Sequence, residues 1–428
     1  QSLFYSAMKR REFGIALASG VAGAAAGSMV NARPVQADKS TKPKAKMYLA
    51  EDHWDKFTEE HIEYLQRHGV KHVEVEHIKQ SESGDWDLDE LKRLRDIADK
   101  NDLTINMLNF SKTLYRSDRN KELFRGNNHI MAGTEGERDR QIDVIARNIE
   151  KAAAIGVPAM RYHWRVVPAI TGKQRRRDYR NHKVTGEGGN KFLAWKLPDD
   201  WRELPVMKEG RMTLDEFWER MKYYLDRIMP VAEEYGIRIA CHPPDPPLPP
   251  GYRGVDTWNY DTFNGLKKYL SLTDSPNFGF LMCVGTIGEG LVDPSSDELI
   301  DIIRYFGERK KIFAVHLRNI KGSRDDFSEW YPDSGDMDFA RVMKTLRDVE
   351  YPHSILADHM PSIPDHPDDP DRSRTVQSLF LFDVATTATG AAPFIGERAI
   401  VRFDHGDAPV GLRIGRALRQ LFLKRFNV

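Results

Sequence analysis

From Lys46 to about Thr375, short runs rich in β-branched and aromatic residues alternate with amphipathic stretches, and this alternation constrains the fold more than any other feature. The strand candidates are KMYLA, HVEVEHI, TINMLNF, PAMRYHW, IRIACHP, NFGFLMCVG, IFAVHLRNI and HSILADHM. Helical patterns lie between them at 57–68, 88–100, 140–155, 214–235, 260–270, 296–306 and 339–347. A strand that is always followed by a helix returns parallel to its predecessor, so the pattern predicts a parallel sheet with crossover helices. Eight such strands suit a closed (β/α)8 TIM barrel, a fold that typically fills about 250 residues. The expected organisation is a single barrel domain over 46–375, preceded by an export signal and linker over 1–45 and followed by an atypical tail over 376–428.

One helix carries its own punctuation. In TLDEFWERMKYYLDRIMPVAEEYG, Thr213 and Glu216 have the spacing of a capping box, and Leu214, Phe217, Met221, Leu225 and Ile228 recur at helical intervals. Gly236 suits the exit, and Pro230 is expected to kink or break the last turns.

Two regions break the alternation. The stretch 165–212 is rich in charge and glycine, including RRRDYR at Arg175–Arg180, and reads as a lid carrying anion-binding arginines or as an oligomer contact. The tail after about Thr375 is basic and ends in an amphipathic pattern, part of which is expected to supply the eighth helix.

At the other end, Arg10-Arg11 precedes a mildly apolar, Ala/Gly-rich run from Ile15 to Val30, with Val35-Gln36-Ala37 as a cleavage site. That run is too short and too weakly apolar for a membrane span. It resembles a twin-arginine signal for periplasmic export, with an ordinary secretory signal as the alternative. Residues before Met8 read as extraneous, and no stable membrane insertion is expected after cleavage.

Acidic and basic residues balance at 64 each, so net charge gives no reason to expect nucleic acid, and a small molecule is the expected partner. The two cysteines, Cys241 and Cys283, exclude a disulfide framework. Glycine-rich phosphate loops, paired-cysteine zinc motifs and nucleophile elbows are absent from the sequence.

Reactive groups in a parallel barrel gather at the C-terminal ends of its strands. The last four strand candidates place His242, Cys283, His316 and Asp358 there, four metal-ligand types on four successive strands. Cys241 and His242 alternate across a strand, so if His242 faces the mouth, Cys241 packs outward. Pro243, Pro244, Pro246 and Pro247 cannot continue a ladder. They would lock the strand exit, hold His242 and aim Asp245 across the mouth, unless the run is a plain surface turn. His53, His77 and His163 lie near earlier strand ends and read as hydrogen-bonded structural histidines or as substrate contacts.

The segments PVAEEYGIRIACHPPDPPLP, NFGFLMCVGTIGEG, FAVHLRN, FSEWYPDSGDMDF and LADH, in this order, resemble the mannonate dehydratases, and IEKAAAIGVPAMRYHW is similar to that family's fourth-strand region. The resemblance covers about Arg138 to His359. It implies a metal-dependent barrel that removes water from D-mannonate to give 2-keto-3-deoxy-D-gluconate. The family's metal set falls on His242, Cys283, His316 and Asp358, and its proton-transferring histidine on His359. Asp245, Arg318, Gly335 and Asp336 also match family positions, which implies catalytic roles for Arg318 and Asp336 and substrate contact for Asp245. His163 and Arg175 complete the expected substrate-binding set. The family carries a tyrosine after its metal aspartate, whereas Tyr351 is the last tyrosine here, and Ala357 and Met360 flank the Asp-His pair.

The chemistry accounts for these residue types. The C2 proton of an aldonic acid lies beside a carboxylate, so its removal adds charge to an anion, which a divalent cation offsets as a Lewis acid. A base must take that proton and an acid must assist departure of the C3 hydroxyl. One thiolate, two imidazoles and a carboxylate suit a borderline ion. The resemblance implies Mn2+, with Zn2+ or Fe2+ as second choice. The rival readings are a sugar isomerase or epimerase on a similar barrel, which Cys283 argues against, and a periplasmic binding protein derived from a decayed enzyme. A homo-oligomer is compatible with all of them.

Overall fold

Eight parallel strands close into a barrel in the order β1-β14-β11-β10-β9-β6-β3-β2. The computed structural model describes residues 47–54, 58–110, 116–118, 122–125, 128–164, 180–186, 191–206 and 211–358. In chain order the elements are β1 (Tyr48–Trp54), α1 (Glu59–Arg67), β2 (His72–Val75), α2 (Leu88–Lys100), β3 (Thr104–Asn109), β4 (Arg116–Asp118), β5 (Glu122–Arg125), α3 (His129–Ala132), α4 (Glu137–Ala154) and β6 (Ala159–Tyr162). There follow β7 (His182–Thr185), β8 (Lys191–Lys196), α5 (Leu214–Glu234), β9 (Arg238–Cys241), α6 (Thr262–Leu270), β10 (Phe278–Cys283), α7 (Val284–Glu289) and α8 (Asp297–Glu308). The last are β11 (Ile312–Leu317), β12 (Asn319–Ser323), β13 (Asp326–Trp330), α9 (Phe339–Asp348) and β14 (Ser354–Ala357). Each predicted strand supplies one stave. The predicted signal and the tail lie outside the described residues, and no described helix is long and apolar enough to cross a membrane.

Strand β10 is buried on both faces, each against different partners. Phe278, Phe280 and Met282 of β10 share one cluster with Leu266 and Tyr269 of α6 and Ile303 and Phe306 of α8. The alternate residues Leu281 and Cys283 belong to a second cluster with Met107, Ala159, Ala240, Phe313 and Ala314, drawn from strands alone. That second cluster is the barrel interior. Its alanines keep the lumen wide enough for longer polar side chains nearer the mouth.

Helix α5 begins with the expected capping box, in which Glu216 N–H donates to Thr213 Oγ1 at 3.3 Å and Thr213 N–H to Glu216 Oε2 at 2.7 Å. It runs unbroken through Pro230, contrary to the expected break. Pro230 is on the exposed side, while Ile228, Met229 and Ala232 bury the opposite face, so packing outweighs one missing hydrogen bond.

The stretch expected to be a lid over 165–212 contains ordered strands. β7 and β8 form a hairpin, and β8 pairs antiparallel with β13, which pairs with β12, giving a four-stranded sheet in the order β12-β13-β8-β7. Phe192 of β8 stacks on Trp330 of β13 with ring centroids 4.1 Å apart, which joins the insertion to the β11–β14 connection.

Candidate functional site

β9 stops at Cys241, and the His242 N–H donates to the Tyr162 carbonyl at 2.8 Å, the last rung before the proline run. The run is not a surface turn, since residues 242–249 are all buried. His242 Nδ1 donates to the Pro243 carbonyl at 2.7 Å, which assigns the proton to Nδ1 and leaves Nε2 as the available donor atom. Cys241 packs outward as expected, in the cluster that contains Tyr162, Tyr224 and Tyr269, where burial pushes its thiol up to about 12.

Cys283 ends β10 and caps α7, its Sγ accepting from the Thr286 N–H at 3.5 Å. It stands opposite His316 in the β10–β11 register. Asp358 follows β14, with Oδ2 3.3 Å from Cys283 Sγ and Oδ1 3.8 Å from His316 Nδ1. The His242 and His316 rings lie 5.8 Å apart between centroids. Four side chains from four neighbouring staves therefore meet in one place.

Two imidazoles, a thiol and a carboxyl are donor types that a divalent cation takes. Among the described residues, however, no three His, Cys, Asp or Glu side chains stand in ready-made coordination geometry. Their contacts are closed on one another and on Arg318, whose Nε donates to Asp358 Oδ2 at 3.2 Å and whose Nη2 lies 3.7 Å from Cys283 Sγ. Burial, and then the charge of His316, push His242 down to about 3, so it is neutral at ordinary pH. Burial and then Asp358 push the Cys283 thiol up to about 12. For His316, burial acts downward, but hydrogen bonds to Asp358 and Glu74 outweigh it and raise the pKa.

Arg318 connects this group to a buried ionic cluster. Its guanidinium reaches Asp245 at 2.9 Å, Glu289 at 2.7 Å and Glu329 at 3.1 Å. Arg180 grips the same three carboxylates at 3.0, 2.9 and 2.8 Å. Burial drives the Glu289 pKa well upward despite the two arginines. Asp245 does point inward as the prolines suggested, but onto arginines. Arg180, the last arginine of RRRDYR, is buried among three carboxylates and so is not a free clamp for a substrate anion.

The remaining predicted residues are more dispersed. His163 stacks on His242 with centroids 4.3 Å apart. Asp336 is exposed and accepts from the Gly322 N–H at 2.8 Å. A Cβ on Gly335 would lie 2.1 Å from Asn319 Oδ1, a close approach that requires glycine. His359 and Arg175 lie outside the described residues, as does the side chain of His53, and His77 is half-buried just beyond β2.

Sequence reasoning missed Glu289, Glu329 and Glu74, and gave Arg180 a substrate-facing role in place of its ionic one. Glu74 sits on β2, fully buried, 3.4 Å from Arg161 Nε and 3.5 Å from His316 Nε2. Burial acts to raise the Glu74 pKa, but the hydrogen bond and charge of His316, the Arg161 charge and the Ser354 hydroxyl lower it overall. Its signal was available: Glu74 and Glu76 alternate with Val73 and Val75 in HVEVEHI, which marks one strand face as polar.

With this geometry in place, the profile of the D-mannonate dehydratase (UxuA) family matches residues 203–380, the segment that carries all four converging residues. Over this segment the chain is similar to the mannonate dehydratases. A mannonate dehydratase of Endomicrobium trichonymphae is 35% identical over 149 residues, 34% of this chain and 38% of that protein. One from Thermotoga neapolitana is 25% identical over 300 residues, 64% of this chain and 78% of its own length. The aligned part spans 38%, 42% and 58% of the relatives from Endomicrobium trichonymphae, Halalkalibacterium halodurans and Thermotoga petrophila, less than two thirds of each. The crystal structure of mannonate dehydratase from Streptococcus suis serotype 2 superimposes with a TM-score of 0.57 at 23% identity, over 73% of this chain and 83% of that one, which supports the barrel fold.

Proposed function

We propose that this chain is a metal-dependent hydro-lyase that dehydrates a sugar acid, D-mannonate to 2-keto-3-deoxy-D-gluconate and water. The observation that carries the reading is the convergence of His242, Cys283, His316 and Asp358 from β9, β10, β11 and β14, with Cys283 Sγ 3.3 Å from Asp358. The kinship with mannonate dehydratases supports the substrate class.

In this reading those four residues hold Mn2+, with Zn2+ or Fe2+ as second choice. The cation would supply Lewis-acid neutralisation of the substrate carboxylate and an adjacent hydroxyl. His242 arrives neutral, with Pro243 holding its Nδ1 proton, so it binds without losing a proton of its own. Arg318 stays charged and faces Cys283 and Asp358, favouring their anionic forms. Asp245, Glu289 and Glu329 fix the guanidinium. His359, next to Asp358, takes the C2 proton or gives one to the departing C3 hydroxyl. The C2–H and C3–O bonds break, water leaves, and the resulting enol becomes the 2-keto acid. Arg318 and Asp336 as further catalytic groups, and Asp245, His163 and Arg175 as substrate contacts, belong to the same proposal. For His163, the stacking on His242 places it beside the group.

Incubation of Mn2+-loaded protein with D-mannonate and a panel of aldonic acids, with assay for 2-keto-3-deoxy products, tests the reading. Turnover of at least one member is expected, and elemental analysis should find one divalent ion per chain. Binding without turnover across the panel refutes the lyase assignment. We also propose twin-arginine export to the periplasm on the strength of Arg10-Arg11 and the apolar run behind them. Arg10→Lys with Arg11→Lys should retain the protein inside the cell, and continued export excludes that route.

A further inference from the structure

We infer that Glu74 is a positioning residue that orients His316, so that His316 faces the cation through Nδ1 while His242 faces it through Nε2. The inference rests on the metal-binding reading above.

Glu74 sits on β2, three staves from His316 around the barrel, so its carboxylate meets the imidazole across the lumen. It is fully buried, and Ser354 Oγ donates to its Oε1 at 3.3 Å. Its Oε2 lies 3.5 Å from His316 Nε2 and 3.4 Å from Arg161 Nε. The opposite ring nitrogen, Nδ1, points to Asp358 Oδ1 at 3.8 Å. A histidine that binds a metal through one nitrogen donates its other N–H to a carboxylate or carbonyl, which fixes tautomer and ring plane. Glu74 faces that nitrogen of His316 at 3.5 Å, a looser approach than the 2.7 Å bond by which the Pro243 carbonyl holds His242. The two histidines are therefore held by opposite nitrogens, and the site is asymmetric in its tautomers.

A plain structural role would have Glu74 serve only to balance the buried charge of Arg161. The two roles separate in a double variant. Glu74→Gln should weaken Mn2+ or Zn2+ binding about ten- to hundredfold in a metal titration, the effect expected for loss of such an outer partner. Glu74→Gln with Arg161→Met removes the charge imbalance. It should recover thermal stability while metal binding stays weak.

A measurement on the unaltered protein covers the case in which neither variant folds. In Zn2+-loaded protein with 15N-labelled histidine, long-range 1H–15N spectra should show His316 protonated at Nε2 and metal-bound at Nδ1, and His242 the reverse. Unchanged affinity in Glu74→Gln, recovery of affinity in the double variant, or an Nε2-bound His316 overturns the inference while leaving the metal site intact. Failure of the unaltered protein to bind either metal overturns the metal reading itself and this inference with it.

Discussion

Replacing Arg180 by Met is the sharpest test of how the inserted sheet and the barrel are joined. Arg180 contacts Asp245, Glu289 and Glu329 at 3.0, 2.9 and 2.8 Å, with 2% of its side chain exposed. Breaking a buried ion pair from one side costs about 3–5 kcal/mol, because the stranded charge has no water to return to. Arg318 shares the same three carboxylates, which places the expected loss near the lower end, about 3 kcal/mol. At roughly 2–4 °C per kcal/mol for a domain of this size, the melting temperature should fall by about 6–12 °C. Without Arg180 the stranded carboxylates favour their protonated forms. A carboxyl whose folded pKa is raised destabilises the fold increasingly above its unfolded pKa, so the deficit should be larger at pH 8 than at pH 5. Arg140→Met is the control: its pair with Glu137 is 2.8 Å long but about half exposed on both sides, and should matter by less than about 0.5 kcal/mol. Circular-dichroism melts at one scan rate would decide. If Arg180→Met melts with Arg140→Met, the arginine lies in solvent and the buried cluster is wrong.

On the proposed metal-dependent reading, Cys283→Ala should sharply weaken metal binding and abolish turnover, and unchanged metal content on elemental analysis would remove Cys283 from the site. Gly265→Ala should destabilise by about 1–3 kcal/mol, since the added Cβ would lie 2.1 Å from the Trp258 carbonyl, backbone that cannot step aside; a chemical-denaturation midpoint equal to wild type would contradict this packing. His353 lies 2.6 Å from Arg238 Nη1, and burial followed by the Arg238 charge push it down to about 4. A histidine with a lowered folded pKa stabilises fully above its unfolded value of about 6.5 and loses that contribution as pH falls toward 4. After allowance for partial exposure, His353→Gln should reduce acid destabilisation over this window by roughly 2 kcal/mol, and urea midpoints at pH 7 and pH 4.5 read it directly.

The barrel was legible because its strands are buried on both faces. A segment such as NFGFLMC, apolar at nearly every position and flanked by a turn and a helix, has few other stable uses. The four converging residues were legible for a related reason: a known strand end fixes which side chain reaches the mouth. The accessory sheet was not. KFLAWK is six residues long, a glycine-rich run precedes it and Leu197-Pro198 follow it, and its partner β13 lies more than a hundred residues away. The strand candidate NFGFLMCVG runs two residues into helix α7, because VGTIGE is short and apolar at its start. The ionic cluster had no local signature at all, since Arg180 and Glu329 are separated by 149 positions and are neighbours only once β8 has paired with β13.

That cluster changes what the site consists of. Arg318 has one edge on Asp358 and Cys283 and another on Asp245, Glu289 and Glu329, so the candidate ligands are mechanically continuous with residues from α7 and β13. Arg180 then ties the same carboxylates to the segment entering β7. In a plain barrel the strand ends alone would position the ligands. Here two buried arginines share one set of acids, and moving either one redistributes charge next to Asp358. The inserted sheet is therefore part of the framework around the mouth, while residues 165–179 of the stretch expected to be a lid lie outside the described residues.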